Sequence, residues 1–234
     1  MARANALWRD RNQAGRALAE RLTPWRRSAD ALVLGLPRGG IVVAAEVARA
    51  LELPLASWAV RKLAHPLAPE LALGAIAPGG VLIWEDGMAS AQGLSAALRL
   101  QIVTEQNREL ERRRRLYGDP ALSSLHHRPL LVVDDGVATG LTVRAALQSL
   151  RQANPSRLVL AVPVIDRQVA ARLRPELDAL IALAEVDDLW AVGVWYERFE
   201  PVSDAEVLSL IAAGSADPTS SGVTTLPKGR SDRF

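Results

Sequence analysis

Apolar residues recur along this chain with two periods that take turns. Ala14, Leu18 and Leu22 share one side of a charged stretch over residues 9–22, a spacing that predicts an amphipathic helix. The run Ala31–Leu36 is short and apolar and stops at Pro37-Arg38-Gly39-Gly40, which predicts a strand and a turn. Helical spacing resumes over Ile41–Leu51, and Leu53–Val60 forms a second strand-like run ending in the pair Arg61-Lys62. Strand, loop, helix and strand in that order build a parallel sheet.

Residues 63–92 break the alternation. The stretch LAHPLAPELALGAIAPGG holds three prolines and three glycines, and VLIWEDG follows as a short strand. This segment reads as an inserted hairpin or mobile flap. Residues 94–116 then predict a long charged helix, closed by Tyr117-Gly118-Asp119-Pro120. The strongest strand is Pro129–Gly136, followed by a loop and a helix over Thr142–Ala153. A strand at Arg157–Ile165, a helix over 166–175 and a buried strand at Ala179–Glu185 complete the alternation. An aromatic-rich segment spans Leu189–Phe199, and a short helix is expected over 203–213. Beyond Gly214 Ser, Thr, Gly and Pro dominate, as in a disordered tail. The expected class is α/β, with a central, mainly parallel sheet flanked by helices. One domain is expected over 1–213, with a flap at about 63–92, a hood at about 187–200 and a tail over 214–234.

Composition narrows the chemistry. None of the 234 residues is cysteine, which excludes disulfides, a thiol nucleophile, iron–sulfur clusters and thiolate zinc sites. Lys+Arg 28 against Asp+Glu 26 leaves a net charge of +2, and the basic run Arg112 to Arg115 follows Glu105, Glu109 and Glu111 on one predicted helix. That pattern is a solvated helix face, so no nucleic-acid partner is expected. Apolar runs such as Leu158–Ile165 are too short for a membrane span, and the first residues lack the apolar core of a signal peptide. A cytoplasmic location with no membrane partner is therefore expected.

The segment LLVVDDGVATGLT, Leu130 to Thr142, carries the most chemistry. It delivers Asp134 and Asp135 to the carboxyl end of a strand, where open α/β sheets bind ligands. Ala138, Thr139, Gly140, Leu141 and Thr142 follow at the mouth of a helix, whose free amides and two hydroxyls suit a phosphate. Acids beside an anion cradle suit one molecule bearing both hydroxyls and a phosphate. Neither the G-x-G-x-x-G fingerprint nor the lysine of a Walker loop is present.

The string VVDDGVATGLT resembles the signature of the type I phosphoribosyltransferases, which use phosphoribosyl pyrophosphate (PRPP). The resemblance implies that Asp134 and Asp135 bind the ribose hydroxyls and that residues 138–142 bind the 5-phosphate. It assigns pyrophosphate binding to Arg38, Gly39 and Gly40 and likens Arg61-Lys62 to the pair before the mobile loop of adenine and orotate enzymes. With PRGG, RKLAHPLAPELALGAIA and AVGVWYERF, the chain is similar to a bacterial subfamily of this kind over about residues 30–200.

The implied reaction displaces pyrophosphate from C1 of PRPP by a nitrogen nucleophile, with Mg²⁺ as cofactor. Asp134 and Asp135 are the expected metal contacts, and Arg38 and Lys62 would stabilise charge on the leaving group. His65 and Glu70 are flap candidates for contact with the site. The resemblance places the acceptor, a nucleobase or similar heterocycle, on Trp190 and Val192, with Glu197 four residues after Gly193. Two departures stand out. Ala138 occupies the position of a third aspartate in the hypoxanthine-guanine branch, and Asp166-Arg167 stands near where those enzymes carry a lysine that reads a 6-oxo group. Three alternatives stay open: a transferase, a non-catalytic sensor of PRPP or a nucleotide, and a phosphatase using either aspartate as nucleophile. A homodimer is compatible with each.

Overall fold

A computed structural model describes residues 6–85 and 94–214. The first half contains α1 (Arg11–Arg21), β1 (Leu32–Gly35), α2 (Gly39–Leu51), β2 (Leu55–Ser57), β3 (Arg61–His65), β4 (Ala68–Ala77) and β5 (Val81–Trp84). The second contains α3 (Ala96–Tyr117), β6 (Pro129–Val133), α4 (Leu141–Arg151), β7 (Arg157–Asp166), α5 (Arg167–Leu173), β8 (Ala179–Val186) and α6 (Asp204–Gly214). Five strands form a parallel sheet in the order β2-β1-β6-β7-β8, as the strand–helix alternation predicts.

Register explains how the sheet sorts its side chains. Val33 pairs with Leu131, which pairs with Val159, so neighbouring strands present the same parity to each face. Leu32, Leu34, Leu130, Val132, Leu158 and Leu160 pack against Ala146 and Leu150 of α4. Val33, Leu131 and Val133 pack on the other face against Leu18 of α1 and Val43 and Val47 of α2. Both faces of β6 are buried, and its residues are correspondingly an unbroken apolar run. The edge strand β8 is half-buried throughout, less covered than its sequence predicts, because only β7 flanks it.

The insertion is a sheet of its own. Strands β3, β4 and β5 form an antiparallel three-stranded sheet rather than a single hairpin. Its base is not a free flap: Ala75 and Ala77 of β4 are buried in the main core, and Ser149 of α4 donates a hydrogen bond to the carbonyl of Pro78 at 2.6 Å. The stretch 86–92 of the expected flap and the expected tail over 215–234 lie outside the described residues. Arg61-Lys62 opens β3, so the pair starts the inserted sheet instead of closing β2, from which it is separated by three residues.

Helices α1 and α2 lie close together at Gly15. A β-carbon there would stand 2.7 Å from Glu46 Cβ and 2.8 Å from the Val43 carbonyl oxygen. Among the described residues no helix is long and apolar enough to cross a membrane.

Gly15→Val should force the two helices apart. Overpacking of this kind costs about 1–3 kcal/mol, read as a lower urea midpoint with an unchanged slope. An unchanged midpoint would show that the helix pair tolerates the larger side chain.

Candidate functional site

The parallel strands β1 and β6 end side by side, tied beyond the ladder by the Leu36 amide donating to the Val133 carbonyl at 2.9 Å. The chain after β1 turns into α2 through Pro37-Arg38-Gly39-Gly40, and the chain after β6 carries Asp134 and Asp135. Both loops therefore meet at the carboxyl edge of the sheet. The Pro37–Arg38 peptide bond is cis. A methyl group on Gly39 would lie 2.0 Å from Asp135 Oδ2, and one on Gly40 would lie 2.7 Å from Asp134 Oδ1. Since β6 ends at Val133, strand alternation no longer governs the two acids, and both reach the same pair of glycines.

Each acid is held differently. Asp134 Oδ1 accepts from the Asp135 amide at 2.9 Å, whereas Asp135 Oδ2 accepts from Arg11 Nε at 2.7 Å. Burial pushes the Asp134 carboxyl well above the usual carboxylate range, and the neighbouring Asp135 charge pushes it further. Burial also raises Asp135, but Arg11 opposes the rise. The pair thus sits in a mostly dry place with one guanidinium beside it. That partnership leaves no trace in the sequence, because nothing in a charged amphipathic helix distinguishes one arginine from its neighbours.

The loop from Ala138 to Thr142 runs into α4, with Gly140 at φ 78 as its N-cap and no side chain capping the helix. Among the described residues no acceptor meets the amides of residues 138–142. The loop is anchored one residue earlier, where Val137 donates to the Val164 carbonyl at 2.9 Å and accepts from the Asp166 amide at 3.0 Å. Thr139 is exposed and Thr142 half-buried, and Ala138 packs with the cluster around Trp8 and Tyr196. Thr139, Gly140 and Leu141 also line a cavity of about 280 Å³ with Arg144, Arg172 and, at the end of β5, Trp84 and Glu85. The inserted sheet thus reaches the phosphate-type loop through β5.

The cations are not all free. Arg38 lies 3.6 Å from Asp204 at the start of α6, and Asp204 also accepts from Tyr117 at 2.6 Å and Arg112 at 3.1 Å. Arg61 donates through Nε and Nη2 to Gln106 on α3, and burial followed by repulsion from Arg113 lowers its affinity for its proton. Lys62 is exposed. His65 accepts from the Leu67 amide at 3.2 Å through Nδ1; Glu70 falls on β4, and its side chain lies outside the description.

Residues 192–195 form a single 3₁₀ turn, and the N-terminal residues Leu7 and Trp8 donate to the Trp195 carbonyl. Tyr196 is buried against Trp8 and Phe199, and its hydroxyl donates to the Asp135 carbonyl at 2.6 Å. Tyr196 is therefore a support for the acid loop. Val192 packs against Gly136, while Trp190 is 81% exposed and Glu197 exposed. Asp166 caps α5, accepting from the Gln168 and Val169 amides, and Arg167 pairs with Asp187 at 2.8 Å.

Comparison with known proteins places these features in a family. The model of the phosphoribosyl transferase domain matches residues 10–197. A protein of Mycobacterium tuberculosis strain H37Rv named "Putative phosphoribosyl transferase Rv0571c" is 40% identical over 217 residues, 92% of this chain, and its counterpart in strain CDC 1551 matches equally. The chain spans 49% of the length of these curated relatives. The crystal structure of TT1426 from Thermus thermophilus shares 37% identity and a TM-score of 0.68, over 89% of this chain and 99% of that one.

Asp119, just after α3, supports the strand that leads to Arg61. It accepts from the Ser57 hydroxyl and from the Ala59 amide at 2.7 Å. Burial pushes its carboxyl up to about 6. Because the folded value is raised, folding takes up a proton; the stabilisation is full below about pH 4 and lost as pH rises through about 6. The stability of wild type relative to Asp119→Asn should therefore fall by about 1–3 kcal/mol between pH 4 and pH 7 in urea titrations. A pH-independent difference would mean that this carboxyl ionises as it does in water.

Proposed function

The chain belongs to the phosphoribosyl transferase domain family, and from that membership we propose that it moves the 5-phosphoribosyl group of PRPP to a nitrogen of a heterocyclic acceptor, with release of pyrophosphate. One observation carries the reading. Asp134 and Asp135 lie against Gly40 and Gly39, beside a loop whose amides at 138–142 have no protein acceptor among the described residues. Hydroxyl-accepting acids, a glycine loop for a polyanion and an amide cradle for a phosphate then surround a single sugar.

In this reading Asp134 and Asp135 accept from the ribose hydroxyls, and the amides of residues 138–142, with Thr139 and Thr142, hold the 5-phosphate. Arg38, Gly39 and Gly40 receive the pyrophosphate, with Arg61 and Lys62 on the side of the inserted sheet. The C1–O bond to pyrophosphate breaks as the acceptor nitrogen bonds to C1, through a transition state with oxocarbenium character. Arg38 and Lys62 lower the cost of charge growing on the leaving oxygens. Ala138 offers a methyl group and not a carboxylate, so no proton transfer is assigned to this loop and positioning carries more of the rate.

The adjacent acids Asp134 and Asp135 fit a Mg²⁺ ion that takes most of its ligands from substrate and water. No group of three or more His, Asp or Glu side chains suited to a metal occurs among the described residues, so the protein's own share of the ligands would be small. When bound, Mg²⁺ would offset the charge of the leaving pyrophosphate. Exposed Trp190, with Val192 and Glu197, forms the acceptor side. Stacking on an indole is tolerant of which base is bound.

Calorimetry of PRPP with Mg²⁺ tests this. Asp134→Asn/Asp135→Asn should bind at least about tenfold more weakly than wild type, the scale of lost charge-assisted hydrogen bonds. Unchanged affinity in the double variant would refute the assignment. A screen of purines and pyrimidines for pyrophosphate release should then find an acceptor; tight PRPP binding with no release would favour a sensor.

A further inference from the structure

Arg11, the first residue of α1, comes from neither loop of the site, yet it makes the closest charged contact to the acid pair. Its Nε donates to Asp135 Oδ2 at 2.7 Å, and its Nη1 donates to the Glu200 carbonyl at 2.9 Å. The guanidinium carbon stands 3.7 Å from the centroid of the Phe199 ring. Only 11% of the Arg11 side chain and 14% of the Asp135 side chain are exposed. One planar group therefore uses its edge on the acid loop and on the hood backbone, and its face on a hood aromatic.

We propose that Arg11 is a positioning residue that couples the sugar-binding acid to the acceptor hood. The proposal rests on the transferase reading above and deepens it. Arg11 bonds Oδ2 of Asp135 and not Oδ1, so the carboxylate is oriented while one oxygen stays outside the Arg11 contact. The same acid is gripped by the hood a second time, since the Tyr196 hydroxyl donates to the Asp135 carbonyl at 2.6 Å and the Tyr196 ring stacks on Phe199 at 5.0 Å. Side chain and backbone of Asp135 are thus both tied to residues 196–200. Settling a sugar on Asp135 orders the hood, and loosening the hood releases the acid.

Chemistry decides which groups could replace Arg11. A lysine offers a point charge with no planar face, so it could keep the Asp135 contact but would lose the simultaneous carbonyl and ring contacts. A rival account makes Arg11 a plug that PRPP must displace. The two differ in sign: removing a plug tightens ligand binding, and removing a positioning residue weakens it.

The test combines calorimetry of Mg²⁺–PRPP with hydrogen exchange read by mass spectrometry, on wild type, Arg11→Gln, Arg11→Lys and Phe199→Leu. Arg11→Gln should bind PRPP about tenfold more weakly, with Arg11→Lys and Phe199→Leu between it and wild type. Binding of inorganic phosphate, whose amide cradle Arg11 does not touch, should be unchanged. Saturating PRPP should slow exchange over residues 189–200 in wild type and leave it fast in Arg11→Gln. Without ligand, Arg11→Gln should exchange faster over 133–137 and 194–200 and as wild type over β3–β5. Affinity equal to or tighter than wild type, or hood protection that survives in Arg11→Gln, overturns the proposal. If wild type binds no PRPP, the transferase reading falls, and the ligand-free exchange pattern alone decides whether Arg11 joins the two segments; faster exchange spread over the whole chain would make it a folding residue and reject the coupling.

Discussion

Two carboxylates can rest against the first turn of α2 only because Gly39 and Gly40 have no side chains there. A β-carbon on either would fall inside the contact distance of an aspartate oxygen, and the Asp134–Asp135 loop would have to leave the sheet edge. That close approach puts like charges side by side in a place with little water, which is costly unless donors meet them. The donors are the Asp135 amide and Arg11, and their positions depend on the N-terminal helix and the hood both being docked. The site is consequently not a property of one loop. It is where β1, β6, α1 and the hood are forced to agree.

The parallel sheet supplies the first part of that agreement. Strands β1 and β6 are buried on both faces and in register, so the loops that follow them have little freedom in where they start. Val137 extends the order one step further through its two backbone bonds to the β7 side, which fixes the entry to the residue 138–142 loop while its amides meet no acceptor among the described residues. Rigid anchors on either side preorganise the proposed anion site, since few rotations would be lost when an anion arrives.

Around the glycine turn the charges are balanced rather than massed. Arg38 shares Asp204 with Arg112 and Tyr117, and Glu109, held down to about 2 by Arg112 and then Arg113, offsets Arg112 again and Arg113 as well. Burial and the Asp204 bond push the Tyr117 hydroxyl up to about 12, so it remains a donor at any ordinary pH. Of the basic run on α3, Arg112 bridges to Asp204 of α6, while Arg113 and Arg114 pair with Glu109 and Glu111 on α3 itself. Val207 of α6 packs with Ile41 and Val42 of α2, and that packing brings Asp204 to Arg38.

The alternation of helix and strand periods, the glycine turn and the DDGVATGLT segment are legible in the chain itself, because each depends on local spacing and on residues whose chemistry has few substitutes. Phe199 and Tyr196 are visible there as aromatics but not as supports of Asp135, and Arg11, Asp119 and Asp204 carry no mark at all. The Tyr196 and Arg11 roles arise from contacts between residues 61 to 189 positions apart, which no period or motif encodes. The inserted segment shows in the sequence as a break but not as a three-stranded sheet rooted in the core, since its short runs with Pro and Gly fit a hairpin equally well. Local physics thus determined which elements form and which loop bears the phosphate-type chemistry. Only packing decided which cation faces the acids, because an arginine acquires a partner from whatever the fold brings within reach of its long side chain.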